Sequence, residues 1–244
     1  MSIFIIKIVA CITMLLDHVK YAIPQTEGLL TIYLGRMAFP LFAFLLTEGY
    51  THTKDLKRYY KRLIIFALIS QIPFMYFRML VGEFIMLNVI FTLLLGLIAI
   101  NIYDKIDKKY ISIPIVIAII CLGEILRVDY GWYGVLLMFI IYLFRNRKIW
   151  MIISVILLNI VFYYTKVGMD IINFRYIIYL VFTSSPLIII LLYNGSLGRK
   201  MKYFFYWFYP IHLAMLYFIN KMVILNLSFG DSLKILFEEI GKRI

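Results

Sequence analysis

The chain is a succession of long apolar runs punctuated by short basic segments. A helix rises about 1.5 Å per residue, so about 20 residues cross about 30 Å of hydrocarbon. Nine runs approach that length: residues 3–22, 29–49, 63–80, 84–103, 110–126, 131–145, 148–165, 175–193 and 203–224. They are continuous rather than alternating, which argues against barrel strands. The last stretch, 225–244, interleaves Leu227, Leu233, Ile235, Leu236, Phe237 and Ile240 with Lys234, Glu238, Glu239, Lys242 and Arg243. That is the pattern of an amphipathic helix lying in the interface rather than of a tenth span. No internal repeat, low-complexity tract or linker divides the chain. The expected fold is all-α: a polytopic transmembrane helical bundle of about nine spans plus an amphipathic C-terminal tail helix, forming one domain over residues 1–244.

Charge gives this bundle a direction. The loops after even-numbered spans hold Lys54, Lys57, Arg58, Lys61 and Arg62, then Lys105, Lys108 and Lys109, then Arg145, Arg147 and Lys148, then Arg199, Lys200 and Lys202. The odd-numbered loops hold only Lys20, Arg78, Arg127, Lys166 and Arg175. The positive-inside rule therefore puts the even loops and the N-terminus in the cytoplasm. The net charge of +12 is explained by these flanking cations and their attraction to anionic lipid, so nucleic acid is not an expected partner. Composition agrees, with 64% hydrophobic and 16% charged residues and a mean hydropathy of +0.94. Cys11 and Cys121 both fall within spans, so no disulfide is expected. The apolar N-terminus carries Asp17 and His18 where a signal peptide would show a small-residue cleavage site, and it reads as a retained first helix.

The candidate chemistry lies in the few polar residues inside the spans. A charge at the bilayer centre costs about 2.5–3.5 kcal/mol on insertion scales and usually faces a protein interior or a wet cavity. Asp17, His18, Arg36, Glu48 and His212 are such residues. Counting along the helices puts His18 and Arg36 at similar depth in the outer half, with His212 near the midplane. Asn88 lies at the outer start of span four, and Asp129, Tyr130 and Trp132 lie in the outer loop between spans five and six. These residues are expected to converge on a cavity that opens outward. Asp17 and His18 are adjacent, so they point about 100° apart and each needs a partner from another span. Arg36 is the natural partner of Asp17. Small and polar residues share a face in span one (Ala10, Thr13, Asp17) and in span two (Arg36, Pro40, Ala43, Thr47), the mark of helix contact in lipid. Plainer readings stand beside these: a structural Asp17–Arg36 ion pair, a solvated His18, a packing histidine at 212, and a solvated helix end at Glu48 and His52. No cluster of metal-ligating residues and no phosphate-cradling glycine loop is present, so no metal is expected.

Several segments together resemble the TraX family. They are Leu15-Leu16-Asp17-His18, the run from Gly35 to Phe44 with Glu48-Gly49-Tyr50, Asn88 to Gly96, Asp129 to Val135, and Tyr209-Pro210-Ile211-His212-Leu213. The resemblance covers about residues 5–220. It implies a polytopic protein of the bacterial cytoplasmic (inner) membrane. The family takes its name from a conjugation protein implicated in N-acetylating pilin, and it is thought to be related to membrane acyltransferases that O-acetylate surface polysaccharides. Those relatives also carry a histidine near the end of the first helix and a late helix rich in Tyr and Pro that contains a histidine.

The activity implied is acetyl transfer from cytoplasmic acetyl-CoA to a hydroxyl or amine of an envelope glycan, lipid, peptide or small-molecule acceptor. His18 is the favoured general base, with Asp17, Arg36 and His212 completing the catalytic set. Asn88, Asp129, Tyr130, Trp132 and Tyr209 are the candidates for acceptor binding. Glu48, Lys54, Lys57, Arg58, Lys61 and Arg62 are the candidates for holding the CoA phosphates at a cationic mouth. Two other classes remain open. A small ion- or proton-coupled transporter would use the same intramembrane Asp, His and Arg as a path. A non-catalytic assembly partner would use them to hold a complex.

Overall fold

The computed structural model describes residues 1–82, 86–166, 174–199 and 201–224; the expected tail helix over 225–244 lies outside them. All the regular structure among the described residues is helical: α1 (Ile3–Ala22), α2 (Leu29–Gly35), α3 (Ala38–His52), α4 (Leu56–Met79), α5 (Val89–Lys105), α6 (Lys109–Ile125), α7 (Gly131–Leu143), α8 (Lys148–Lys166), α9 (Phe174–Ser184), α10 (Pro186–Leu191) and α11 (Lys202–Ile224), with one 3-10 turn at Pro24–Thr26. Each of the nine expected segments contains helix. Two of them differ in being broken.

Span two is split into α2 and α3 around Arg36 and Met37. Pro40 has no N–H to give the carbonyl of Arg36, its i−4 partner, so the regular ladder fails there. The Arg36 and Met37 amides instead donate to the carbonyls of Tyr33 and Leu34, three residues back, at 3.1 Å each. Span eight is split at Ser185 for a related reason, because Pro186 opens α10. Start points also move. Asp55 accepts the Arg58 amide at 2.9 Å and caps α4 at Leu56, so this helix starts well before the apolar run at 63. Asn88 caps α5 in the same way, so that helix starts at Val89 rather than 84.

Of the described helices, α4 and α8 are each long and apolar enough to cross a membrane. Their outward faces are apolar. Ile64, Leu68, Ile72 and Met75 on α4 and Ile149, Trp150, Ile153, Leu157 and Val161 on α8 are exposed, Ile72 by 64%. Ile113, Ile117 and Ile125 do the same on α6. Contiguous apolar surface on this scale belongs against lipid rather than water. Cys11 is buried and Cys121 is exposed on this outer surface, not buried as its place in a span suggested; both are free thiols.

Inside, α1 packs on α2, α3 and α11, and α11 packs on α4. A second group, α5, α6 and α7, joins them through α3 with α7 and α4 with α5. The face of α1 bearing Ala10, Thr13 and Asp17 is buried, as are Pro40, Ala43 and Thr47 on α3, so both small-residue stripes are packing faces. Gly35 is required at one of these contacts. A Cβ there would lie 2.7 Å from the Asp17 Cα, inside backbone that cannot swing away.

Candidate active site

The last turn of α1 brings four charged or titratable groups together. Asp17 is buried and its Oδ1 accepts from Arg36 Nη2 at 2.6 Å and from Lys20 Nζ at 2.7 Å. The expected Asp17–Arg36 pairing is present, made possible because the α2–α3 break turns Arg36 toward α1. Lys20, expected in an outer loop, is instead buried at 7% exposure one turn above Asp17. The i, i+3 spacing carried that signal.

His18 finds its partner on α11. Its Nδ1 lies 2.7 Å from Nε2 of His212, whose own Nδ1 lies 2.7 Å from the Phe208 carbonyl. A carbonyl only accepts, so His212 Nδ1 carries the proton and, in the neutral ring, Nε2 accepts. His18 Nδ1 is then the donor, which leaves the lone pair on His18 Nε2. His212 is buried behind, whereas His18 is half-buried and lines a cavity.

That cavity, about 700 Å³, runs along α1 between α3, α4 and α11. One end is walled by Asp17, His18, Arg36, Arg78, Asp129 and Tyr130. The other is walled by Lys7, Thr53, Arg62 and Arg199. Lys7 and His18 are eleven residues apart on one helix, so the two ends are separated by about 16 Å. Between them the wall is largely apolar, with Leu45, Leu46, Leu63 and Phe74 among its residues.

The turn before α7 presents two of the three outer-loop candidates, Asp129 and Tyr130; Trp132 falls inside α7. Tyr130 has a left-handed backbone, φ +66°, followed by Gly131 at +47°. The Thr92 hydroxyl donates to the Asp129 carbonyl, and the Asp129 amide donates to Leu87 at 2.8 Å. Tyr130 stacks on Phe39, ring centres 3.9 Å apart. A strained residue held by its surroundings and facing a cavity is the usual company of a functional site.

The other expected residues divide. Tyr209 lines the cavity beside His18. Trp132 does not; it packs edge-on against Phe162. Asn88 is fully buried away from the cavity, and its amide is used up by donating to Ala67 and Gln71 and by capping α5. Of the phosphate-holding candidates, Arg62 lines the cavity mouth while Glu48, Lys54, Lys57, Arg58 and Lys61 do not. Arg58 is tied to Asp55 at 2.9 Å, and Glu48 faces His52 at 3.6 Å. Lys7 and Arg199 join Arg62 at the mouth. Sequence order hid them, since they are far apart along the chain and come together where the amides of Ile3 and Phe4 bond the carbonyls of Ser196 and Leu197 and the Asn194 amide bonds that of Met1. Among the described residues no group of His, Cys, Asp and Glu is arranged to hold a metal.

The family described as TraX protein matches residues 2–220. The chain belongs to the TraX family. With the family match and its apolar outer faces, this TraX protein is a membrane protein. It is also similar to the probable fimbrial assembly protein FimC, serogroup H1, of Dichelobacter nodosus. The two are 28% identical over 243 residues, covering 88% of this chain and 94% of that protein. No solved structure matches the chain.

Proposed function

We propose that this TraX protein is an acyltransferase that moves an acetyl group from cytoplasmic acetyl-CoA to a hydroxyl or amine of an envelope acceptor. It would do so as a nine-span protein of the bacterial inner membrane with its N-terminus in the cytoplasm. The observation that carries the reading is the cavity with His18 at one end and Lys7, Arg62 and Arg199 at the other. The mouth cations suit the CoA phosphates, and the apolar stretch suits the pantetheine arm.

At the far end, His18 Nε2 takes the proton from the acceptor hydroxyl or amine as its oxygen or nitrogen bonds to the thioester carbonyl carbon. Negative charge gathers on the carbonyl oxygen, where Arg36 is placed to stabilise it. Collapse breaks the C–S bond, and the proton on His18 passes to the departing thiolate. His212 holds the His18 ring in the tautomer that this needs. Asp17 fixes Arg36. The probable role of the Dichelobacter relative in fimbrial assembly directs the search for an acceptor to subunits of surface fibres.

The test is CoA release from acetyl-CoA by the purified protein, with envelope peptides and glycans supplied as acceptors. Release that requires acceptor, is lost in His18→Ala and shows a raised KM for acetyl-CoA in Arg62→Gln is the expected result. Folded protein that neither releases nor binds CoA, and instead carries protons into proteoliposomes, would replace this reading with the transporter.

A further inference from the structure

A second cavity, about 380 Å³, lies against the turn between α3 and α4. Thr53, the residue that caps the C-terminal end of α3, lines both this cavity and the mouth of the large one, so the two adjoin across a single residue. Their walls differ. The second is polar and is built from Tyr50, Asn101, Asp104, Lys105, Tyr142 and Arg145.

Four of these side chains, Tyr50, Asp104, Tyr142 and Arg145, are tied to one another. Asp104 accepts the Tyr50 hydroxyl on one oxygen at 2.9 Å and the Tyr142 hydroxyl on the other at 2.6 Å, joining α3, α5 and α7. The two tyrosine rings stand nearly perpendicular, 5.6 Å apart. Arg145 lies over the Tyr142 ring at 4.2 Å and donates to the Tyr142 carbonyl at 3.1 Å, which holds its guanidinium at the rim. Asn101 Oδ1 is buried and has no hydrogen-bond partner among the described residues. An acceptor left so costs about 1–3 kcal/mol, and a ligand N–H donor would recover it.

The chemistry that fits is specific. Asn101 calls for an amino or amide donor, the half-buried Tyr50 ring for a flat apolar partner, and Lys105 and Arg145 for a phosphate; Tyr142 is buried beneath Arg145 and serves to hold it. Each Asp104 oxygen keeps a lone pair for a sugar hydroxyl. A simple inorganic anion would leave Asn101 unmet, and a simple amine would meet two cations. The adjoining mouth adds three more cations for further phosphate, and a flexible tail would leave past Thr53.

We propose that the second cavity holds the adenosine 3′-phosphate end of CoA, with the diphosphate at Lys7, Arg62 and Arg199 and the pantetheine arm running on to His18. This rests on the acyl-CoA reading above and adds where the nucleotide sits.

The experiment measures binding of CoA, 3′-dephospho-CoA and pantetheine to the full-length protein in nanodiscs. The proteins compared are wild type, Arg145→Gln and Lys105→Gln, each checked by its melting temperature. Wild type should bind CoA about tenfold more tightly than 3′-dephospho-CoA, the value of one charge-assisted contact. That gap should shrink in either variant. Variants that keep the full gap, or lose affinity for pantetheine as much as for CoA, overturn the nucleotide site and leave the acyl-CoA reading standing. Wild type that binds neither CoA nor pantetheine overturns both. Two variants are used so that misfolding of one leaves the other to decide.

Discussion

His18 Nδ1 and His212 Nε2 lie 2.7 Å apart, joining the last turn of α1 to the middle of α11 across 194 residues of sequence. The pair is asymmetric, since only His18 lines the cavity. His18→Ala should therefore lower acceptor-dependent CoA release by about 10²–10⁴-fold, the range of a lost general base. His212→Ala should cost less, should act chiefly on kcat, and should move the acid limb of the pH–rate profile. Equal losses in both variants with an unmoved profile would mean that His212 only packs.

Gly35 and Gly96 provide a paired test of the Asp17 contact. Alanine at 35 would meet the Asp17 backbone, whereas alanine at 96 would meet the flexible end of Met138. Gly35→Ala should destabilise by about 1–3 kcal/mol and cut activity, while Gly96→Ala should cost less because Met138 can move aside. Thermal unfolding in detergent compares them directly. Similar melting temperatures for the two variants would show that α1 and α2 do not meet as closely as described.

Asn88 lies away from the cavity, so its role should be stability. Asn88→Ala removes a helix cap and leaves buried groups unpaired, with an expected loss of about 1–3 kcal/mol. KM for acceptor should stay near wild type. A raised acceptor KM in a protein of normal melting temperature would restore Asn88 to the binding site.

Asp129 makes stability depend on pH. Burial pushes its carboxyl up to about 6, against the opposing pull of Arg78. The folded protein then holds a proton that the unfolded chain releases from about 3.8, so this residue favours the folded state most below that pH. Its contribution fades as pH rises to about 6 and is level above. Asp129→Asn should flatten that part of the stability–pH curve, as followed by melting temperature between the two values. An unchanged curve would mean that Asp129 is solvated.

Much of this was legible in the sequence because helices in lipid have few options. Apolar length located the helical segments, and the isolation of Asp17 and His18 in span one required partners from elsewhere. Counting residues gives depth but not azimuth, however. Depth set His18 in the outer half and His212 near the midplane, so it gave no sign that the two rings touch, and it gave no warning that Asn88 turns away toward Ala67. Pro40 marks a kink in span two, but the break itself falls at Arg36 because Pro40 acts four residues back, on a carbonyl that composition does not mark. The basic run from Lys54 to Arg62 stood out by density, yet a helix spreads such a run over its whole circumference, and only Arg62 reaches the cavity.

Lys20 and Arg36 share one carboxylate, that of Asp17. Two cations against one anion leave this cluster a negative charge short at rest. An oxyanion formed beside Arg36 would supply the missing charge, so the ledger of formal charges there would balance only at the instant of transfer. An empty site would carry a standing field that draws electron density toward itself before any substrate has entered.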